Sequence, residues 1–209
     1  MQEELLRTLS LASVAVFAAG GVVASRHRRP DIIGAYIVAI ATAFGGGVVR
    51  DAILGIPSQG LADPIALQVA LAAATLAMAL PRTLTRWATV VDVLDAIGIG
   101  LFNAAGMAIA WEHGAHPVLV LLLGSVTAAG GGVIRDVLLG QMPTVMQQTT
   151  LFITACLIGG GIGLAAHVAG LGADAVALLI VLITTGVRLL AIRFGWTLAA
   201  LWDPARDTG

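Results

Sequence analysis

The sequence predicts an all-α transmembrane protein with seven helices, arranged as two inverted three-helix repeats followed by a seventh helix. Composition, the number of long apolar segments and a duplicated motif support this prediction. Hydrophobic residues make up 58% of the 209 residues and charged residues only 11%, whereas an average soluble chain is about 25% charged. The mean hydropathy is +0.97. Because so few ionic groups cannot cover a water-exposed surface, the chain is expected in a membrane.

Composition also excludes several classes of protein. The net charge is −1, and the basic residues are all arginines that form no dense run, which argues against nucleic-acid binding. The single cysteine, Cys156, cannot form an internal disulfide. The sequence contains no recognisable nucleophile with its base, phosphate-binding loop or pair of catalytic carboxylates. We therefore expect no enzymatic activity, no cofactor, no metal ion and no nucleic-acid partner.

Seven apolar stretches are long enough to be membrane helices, since a helix needs about 20 mostly apolar residues to cross the hydrocarbon. Short breaks with Pro, Arg or His separate them, and residues 1–209 are expected to form one membrane domain. The predicted spans are Leu5–Ser25, Ile32–Leu54, Pro64–Leu80, Thr89–Trp111, Pro117–Leu139, Thr150–Ala169 and Ala175–Phe194.

The distribution of arginines predicts that the N-terminus is outside and the C-terminus is cytoplasmic. With this orientation only Arg7 is external, in agreement with the positive-inside rule. The cytoplasmic arginines are then Arg26, Arg28, Arg29, Arg82, Arg86, Arg193 and Arg206. Tryptophan favours the membrane–water interface, and the four tryptophans fall at predicted span ends: Trp87, Trp111, Trp196 and Trp202.

A duplicated motif divides the chain into two repeats. The segment 42–55, TAFGGGVVRDAILG, recurs at 127–140 as TAAGGGVIRDVLLG, with ten of fourteen positions identical. The difference in residue number, which we call the repeat offset, is constant along the motif (127 − 42 = 85). It corresponds to three spans and their loops, so the second copy enters the membrane from the opposite side. The repeats cover about 5–81 and 89–169, and the seventh helix covers 175–194. Inverted repeats are typical of proteins that move solutes.

The glycine triplets in the motif are candidate hinges that line a pore. Three glycines cost about 3 kcal/mol relative to alanine in a helix interior. One interpretation is that spans two and five are broken or kinked there and expose backbone to a hydrated path. The alternative is close helix packing, which small residues allow in membranes. The residues concerned are Gly45, Gly46, Gly47, Gly130, Gly131 and Gly132.

The charged residues that follow the glycines are candidate pore charges. Arg50, Asp51, Arg135 and Asp136 lie at membrane depth, where ionised groups need a partner or water. Because adjacent helical residues point about 100° apart, we expect pairing across the repeats, Arg50 with Asp136 and Arg135 with Asp51, or pairing with glycine carbonyls. The alternative is a set of buried pairs that stabilise the fold and contact no permeant ion.

Three further charges are candidates for a vestibule. Asp92 and Asp95 lie one turn apart at the predicted start of span four, where carboxylates either cap the helix or collect cations. Arg188 lies within the seventh span. Its side chain either extends to the cytoplasmic interface or faces the pore as a voltage-responsive charge.

Together, the 3 + 3 + 1 arrangement and the doubled Gly-Gly-Gly-Val-x-Arg-Asp motif resemble the bacterial branch of the trimeric intracellular cation (TRIC) channel family. The resemblance covers nearly the whole chain, from Leu5 to Phe194. It implies a homotrimer in a bacterial inner membrane, with one hourglass-shaped pore per protomer that conducts monovalent cations, mainly K⁺. It also implies that the two glycine triplets form bends in the pore, with the Arg-Asp pairs beside them. The implied partners are membrane lipid, monovalent cations and further copies of the chain.

Cation selectivity follows from the resemblance and not from the motif, which carries one positive and one negative charge per copy. A secondary transporter of a small solute such as an amino acid is the main alternative. The third functional interpretation is a non-conducting assembly protein held together by its small-residue faces.

Overall fold

The structure is a computed structural model that describes residues 2–80, 87–147 and 151–197. Its architecture is all-helical, as the sequence predicts. The helices are α1 (Gln2–Ser25), α2 (Ile32–Leu54), α3 (Gln59–Ala62), α4 (Pro64–Ala79), α5 (Trp87–Glu112), α6 (Pro117–Leu138), α7 (Phe152–Val168) and α8 (Ala173–Phe194).

The predicted spans agree closely with seven of these helices, and α3 is an additional short helix. The predicted start of span six, Thr150, lies outside the described residues. Helices α1, α2, α5, α6 and α8 are long and apolar enough to cross a membrane, whereas α4 and α7 are apolar but shorter. The multi-pass character of the protein is therefore supported. The orientation of the termini stays a prediction, and four of the residues behind it lie outside the described part: Arg82, Arg86, Arg206 and Trp202.

The helix boundaries repeat with the same offset as the motif. Asp31 caps the start of α2 by accepting a hydrogen bond from the backbone N–H of Gly34 at 2.6 Å, and His116 occupies the equivalent position before α6. Gly55 and Gly140 follow the ends of α2 and α6 with φ of +69° and +66°, a left-handed conformation that glycine adopts without strain. The last glycine of each motif copy therefore terminates its helix.

The first two helices of each repeat pack in related ways, α1 against α2 and α5 against α6, whereas the third helices differ. Helix α4 presents Ala66, Ala70, Ala74 and Ala77 as a buried small-residue face and packs directly against α1. In the second half of the chain, α8 packs against both α5 and α7. Helices α2 and α6 contact each other near the centre, where Phe17 of α1 meets Phe102 of α5 edge to face, with ring centroids 4.8 Å apart. These two phenylalanines are also related by the repeat offset.

Candidate functional site

The glycine triplets bring α2 and α6 into backbone contact. A Cβ atom on Gly46 would lie 2.9 Å from the carbonyl carbon of Thr127, and one on Gly131 would lie 3.1 Å from the carbonyl carbon of Thr42, with each carbonyl oxygen closer still. A Cβ on Gly130 would lie 2.7 Å from the Cα of Gly46. Side chains at these positions would therefore push the two helices apart.

Both glycine-containing segments are uninterrupted α-helix, so the prediction of a broken helix is wrong, and the glycines allow close packing of α2 against α6. A bend of either helix at its triplet stays a prediction. A physical reason for the unbroken helices is that a break would leave backbone groups unsatisfied at membrane depth. Close contact between helices instead gains dispersion energy and C–H···O contacts that offset the helix-propensity cost of glycine. The hydroxyl groups of Thr42 and Thr127 bond within their own helices, to Val38 and Leu123.

The third glycine of each triplet has a different environment. A Cβ on Gly47 would lie 3.7 Å from Nη2 of Arg50, and one on Gly132 would lie 3.8 Å from Nη2 of Arg135. Both distances are ordinary van der Waals contacts. Gly47 and Gly132 thus lie beside the arginines and do not hold the two helices together.

Each arginine of the motif pairs with the aspartate that follows it. Nε of Arg50 donates to Oδ1 of Asp51 at 2.8 Å, and Nε of Arg135 donates to Oδ1 of Asp136 at 2.9 Å. All four residues are at most 5% exposed. The predicted pairing across the repeats is therefore wrong, because the long arginine side chain can reach around the helix to its neighbour.

The second carboxylate oxygen of each aspartate holds the chain that follows the helix. Oδ2 of Asp51 accepts a hydrogen bond from the backbone N–H of Gln59 at 3.0 Å. Oδ2 of Asp136 accepts bonds from the N–H and the hydroxyl of Thr144, at 2.8 and 2.9 Å. Gln59 and Thr144 are again related by the repeat offset. Sequence reasoning missed both, although each follows its aspartate at the same spacing, which was a usable signal.

The two ends of the α2–α6 pair differ in charge. Arg135 makes a second ion pair, from Nη1 to Oδ1 of Asp95 at 3.0 Å. The positions equivalent to Asp95 and Asp92 in the first repeat are Ser10 and Arg7, so within the described part of the chain Arg50 has no corresponding second carboxylate. The C-terminal part of α6 therefore has one more buried ion pair than the C-terminal part of α2, and this pair joins α6 to α5.

The further charges lie near Arg135. Helix α5 begins at Trp87, which puts Asp92 and Asp95 beyond its first turn, so the capping interpretation is wrong. Arg188 is only 2% exposed, with its guanidinium 5.0 Å from the centre of the Phe152 ring and within the electrostatic influence of both aspartates. Its predicted extension to the interface is thus also wrong, since its neighbours bury it. The vestibule role of these residues stays a prediction.

A cleft of about 300 Å³ opens beside Arg50, and we call it the Arg50 cleft. Asp63 and Glu112 are among its charged residues, together with Arg7, whose guanidinium lies 4.0 Å from the Asp63 carboxylate. Phe102 of the central aromatic pair also lines it. The cleft therefore extends from charged residues near the helix ends to the centre of the helical bundle. Its lining further includes Ser10, Val14, Ala43, Phe44, Gly47, Val48, Gln59, Ala105 and Ile109.

The chain matches a family model described as Glycine transporter over residues 7–82 and 92–168. It is 34% identical over 195 residues to the inner membrane protein YadS of Escherichia coli K12, covering 91% of this chain and 93% of that protein. It is 35% identical over 159 residues to the membrane protein YvgT of Bacillus subtilis, covering 75% and 78%.

Solved structures show the same fold. One, described as the structural basis for conductance through TRIC cation channels, superimposes with a TM-score of 0.85 at 27% identity and covers 94% of this chain and 97% of that one. The TRIC orthologue from Rhodobacter sphaeroides gives a TM-score of 0.82 at 26% identity, with 91% and 98% covered. The chain thus belongs to the bacterial membrane-protein family that the Glycine transporter model describes and is a bacterial member of the TRIC channel family.

Proposed function

We propose that the chain forms a homotrimeric channel for monovalent cations, mainly K⁺, with one pore in each protomer. The likeness to structures described as TRIC cation channels supports a cation channel. The observation that carries the proposal is the Arg50 cleft, which leads from the end of the bundle to the central Phe17–Phe102 pair. Membrane lipid and further copies of the chain are the proposed partners.

The proposed topology has seven membrane spans, with α4 and α7 as the two short ones. The first three and the next three spans form repeats of opposite orientation in a bacterial inner membrane, with the N-terminus outside. Helix ends and the Arg-Asp ion pairs recur at the repeat offset, and Phe17 contacts its own offset counterpart Phe102. These features support the arrangement because one local geometry occurs twice along the chain. The axis relating the repeats would pass between α2 and α6.

The proposed path follows the α2–α6 contact. It enters through the Arg50 cleft, where Asp63 and Glu112 supply carboxylates. It narrows at Phe17 and Phe102, and it leaves past the ion pair between Arg135 and Asp95. Conduction requires the aromatic pair to separate and this ion pair to yield. The glycine contacts then serve as the surface on which α2 and α6 move relative to each other.

Recording from purified protein in planar bilayers tests the proposal. We expect discrete unitary currents whose reversal potential follows the K⁺ gradient and not the Cl⁻ gradient. The Phe102→Ala variant should increase the unitary current, because it removes the ring that lines the inner part of the cleft. Currents absent from protein shown to be folded, or reversal at the Cl⁻ equilibrium potential, would refute a cation channel.

Transport of a small amino acid is the second candidate, and the description of the matched family model favours it. A cleft of about 300 Å³ that contains Arg50 and two carboxylates offers charges of both signs to a zwitterion. Uptake of labelled glycine into proteoliposomes distinguishes the candidates. A transporter gives saturable uptake without unitary currents, whereas a channel gives unitary currents without saturable glycine uptake.

A further inference from the structure

A separate pocket of about 220 Å³ lies where α1 ends, α2 begins and α4 ends. We call it the Arg29 pocket. It is at the opposite end of α2 from the Arg50 cleft. Arg26 and Arg29 line it together with Asp31, whose carboxylate is engaged by the backbone N–H of Gly34 at 2.6 Å. The charged residues of the pocket therefore carry a net positive charge, two arginines against one aspartate. Its other lining residues are Val22, Ser25, Pro30, Ile32, Ala35 and Met78.

The backbone of α4 holds Arg26, and Arg29 has an unusual backbone conformation of its own. Arg26 donates from Nη2 to the carbonyl oxygen of Leu80 at 3.1 Å, which ties it to the end of α4. Arg29 has φ of +51° and ψ of +50°, and it is the one non-glycine residue with positive φ in the described ranges. Arginine adopts this left-handed conformation at an energetic cost, and such strain is concentrated at functional sites. Within residues 2–80, 87–147 and 151–197, the Arg29 guanidinium makes no ion pair.

The second repeat contains an equivalent pocket that no arginine lines. Four lining residues correspond at the repeat offset: Val22 with Met107, Arg26 with Trp111, Ala35 with Val120, and Met78 with Gly163. In the second repeat the first residues of α8, including Ala173 and Ala177, form one wall. Among the described residues, the first repeat has no added helix at this place. The arginines thus occur in the copy of the pocket that α8 does not line.

The surroundings of the Arg29 pocket are apolar and exposed. Ile32 and Ile33 are 70% and 69% exposed at the start of α2, and Leu80 is 51% exposed at the end of α4. The ends of membrane helices lie near the lipid headgroups, so a charged pocket next to exposed isoleucines suits a molecule with an anionic head and apolar chains. Arginine is well suited to bind phosphate because its donors form a planar fork.

We propose that the Arg29 pocket binds the phosphate group of an anionic membrane phospholipid, with Arg29 as the main charged contact. The acyl chains lie along Ile32 and Ile33. The carboxylate of Asp31 caps α2 and limits the net charge, so the site favours a phosphodiester with one negative charge. This lipid site is distinct from the proposed ion path, and it does not depend on which solute the protein moves.

Native mass spectrometry of the full-length protein, titrated in detergent with phosphatidylglycerol or phosphatidylcholine, tests the proposal. Arg29→Gly removes the guanidinium and relieves the strained backbone, so thermal stability without lipid should be at least that of the wild type. Arg29→Asn, which also tolerates positive φ, is a second variant that should fold. Retention of phosphatidylglycerol should fall about tenfold or more in both variants, the factor that a hydrogen bond between charged groups contributes.

The matched control is Arg193→Gln, an exposed arginine on the last turn of α8 that lies away from the pocket. It should retain phosphatidylglycerol like the wild type. Equal retention by wild type and both Arg29 variants, an equal loss in the control, or equal retention of phosphatidylcholine would each overturn the proposal. Thermal stabilisation by inorganic phosphate equal to that by phosphatidylglycerol would identify a soluble phosphate site and overturn the lipid assignment.

Discussion

Alanine substitutions in the first glycine triplet test whether the glycines serve packing or flexibility. A Cβ on Gly46 would lie 2.9 Å from the carbonyl carbon of Thr127, whereas one on Gly47 would meet only the guanidinium of Arg50, at 3.7 Å. The obstacle at Gly46 is the backbone of an unbroken helix, so only displacement of the whole helix can relieve it. The two adjacent substitutions are chemically identical and differ only in this contact.

The expected change in the free energy of unfolding is the sum of two opposing contributions. Each substitution gains about 1 kcal/mol of helix propensity. Gly46→Ala also incurs an overpacking cost of roughly 1–3 kcal/mol, which Gly47→Ala does not. The difference in the free energy of unfolding between the two variants therefore isolates the packing cost, and we expect Gly47→Ala to be the more stable by about 1–3 kcal/mol. The pair Gly131→Ala and Gly132→Ala should behave in the same way.

Reversible unfolding in mixed micelles, followed by tryptophan fluorescence, measures this difference, and bilayer recording of the same variants tests conduction. The packing interpretation predicts that Gly46→Ala loses stability and current while Gly47→Ala keeps both. Equal stability of the two variants would refute the reasoning. A loss of current in both variants with stability unchanged would instead indicate that flexibility of the triplet is required.

Two further substitutions probe the proposed path. Asp95→Asn removes one of the two buried carboxylates of Arg135. It should lower the free energy of unfolding by about 3 kcal/mol and raise the fraction of time that the channel is open. An unchanged open fraction in a folded variant would show that this ion pair does not limit conduction. Phe102→Ala should lower the free energy of unfolding by about 3–5 kcal/mol, because it leaves a cavity. It should also increase the unitary current. An unchanged current in a folded variant would show that the ring does not border the path.

The helices were predictable because long apolar segments leave little alternative in a membrane. The ends of α2 and α6 were also predictable, since the motif carries its own terminating glycine. The duplicated motif predicted that the two halves of the chain are structurally equivalent. The structure shows equivalent contacts outside the motif as well, such as those made by Gln59 and Thr144.

Details of the site were not predictable, because they depend on distances between helices. The propensity cost of three glycines is visible in the sequence, but the compensating contact between Gly46 and Thr127 appears only when α2 and α6 are packed. Likewise, the angle between adjacent helical positions suggested separate partners for Arg50 and Asp51. The arginine side chain bends back instead, and the aspartate uses its second oxygen for the loop. Arg188 is buried because α8 packs against α5 and α7, and this position cannot be read from its own span.

The duplication gives the two ends of the α2–α6 pair one backbone geometry, so their difference must come from substituted side chains. At one end Arg135 is shared between two buried carboxylates, and at the other Ser10 replaces the second carboxylate beside Arg50. Breaking a buried ion pair costs several kcal/mol, and the end with fewer ion pairs is the one where the cleft lies. Movement of α6 away from α5 therefore has to break the ion pair between Arg135 and Asp95, whereas movement of α2 away from α1 breaks no equivalent pair among the described residues. Because the cleft already reaches Phe102 from the other side, we infer that the aromatic pair and the Arg135–Asp95 ion pair together limit conduction, and that Asp95 is the residue through which the two repeats acquired unequal roles.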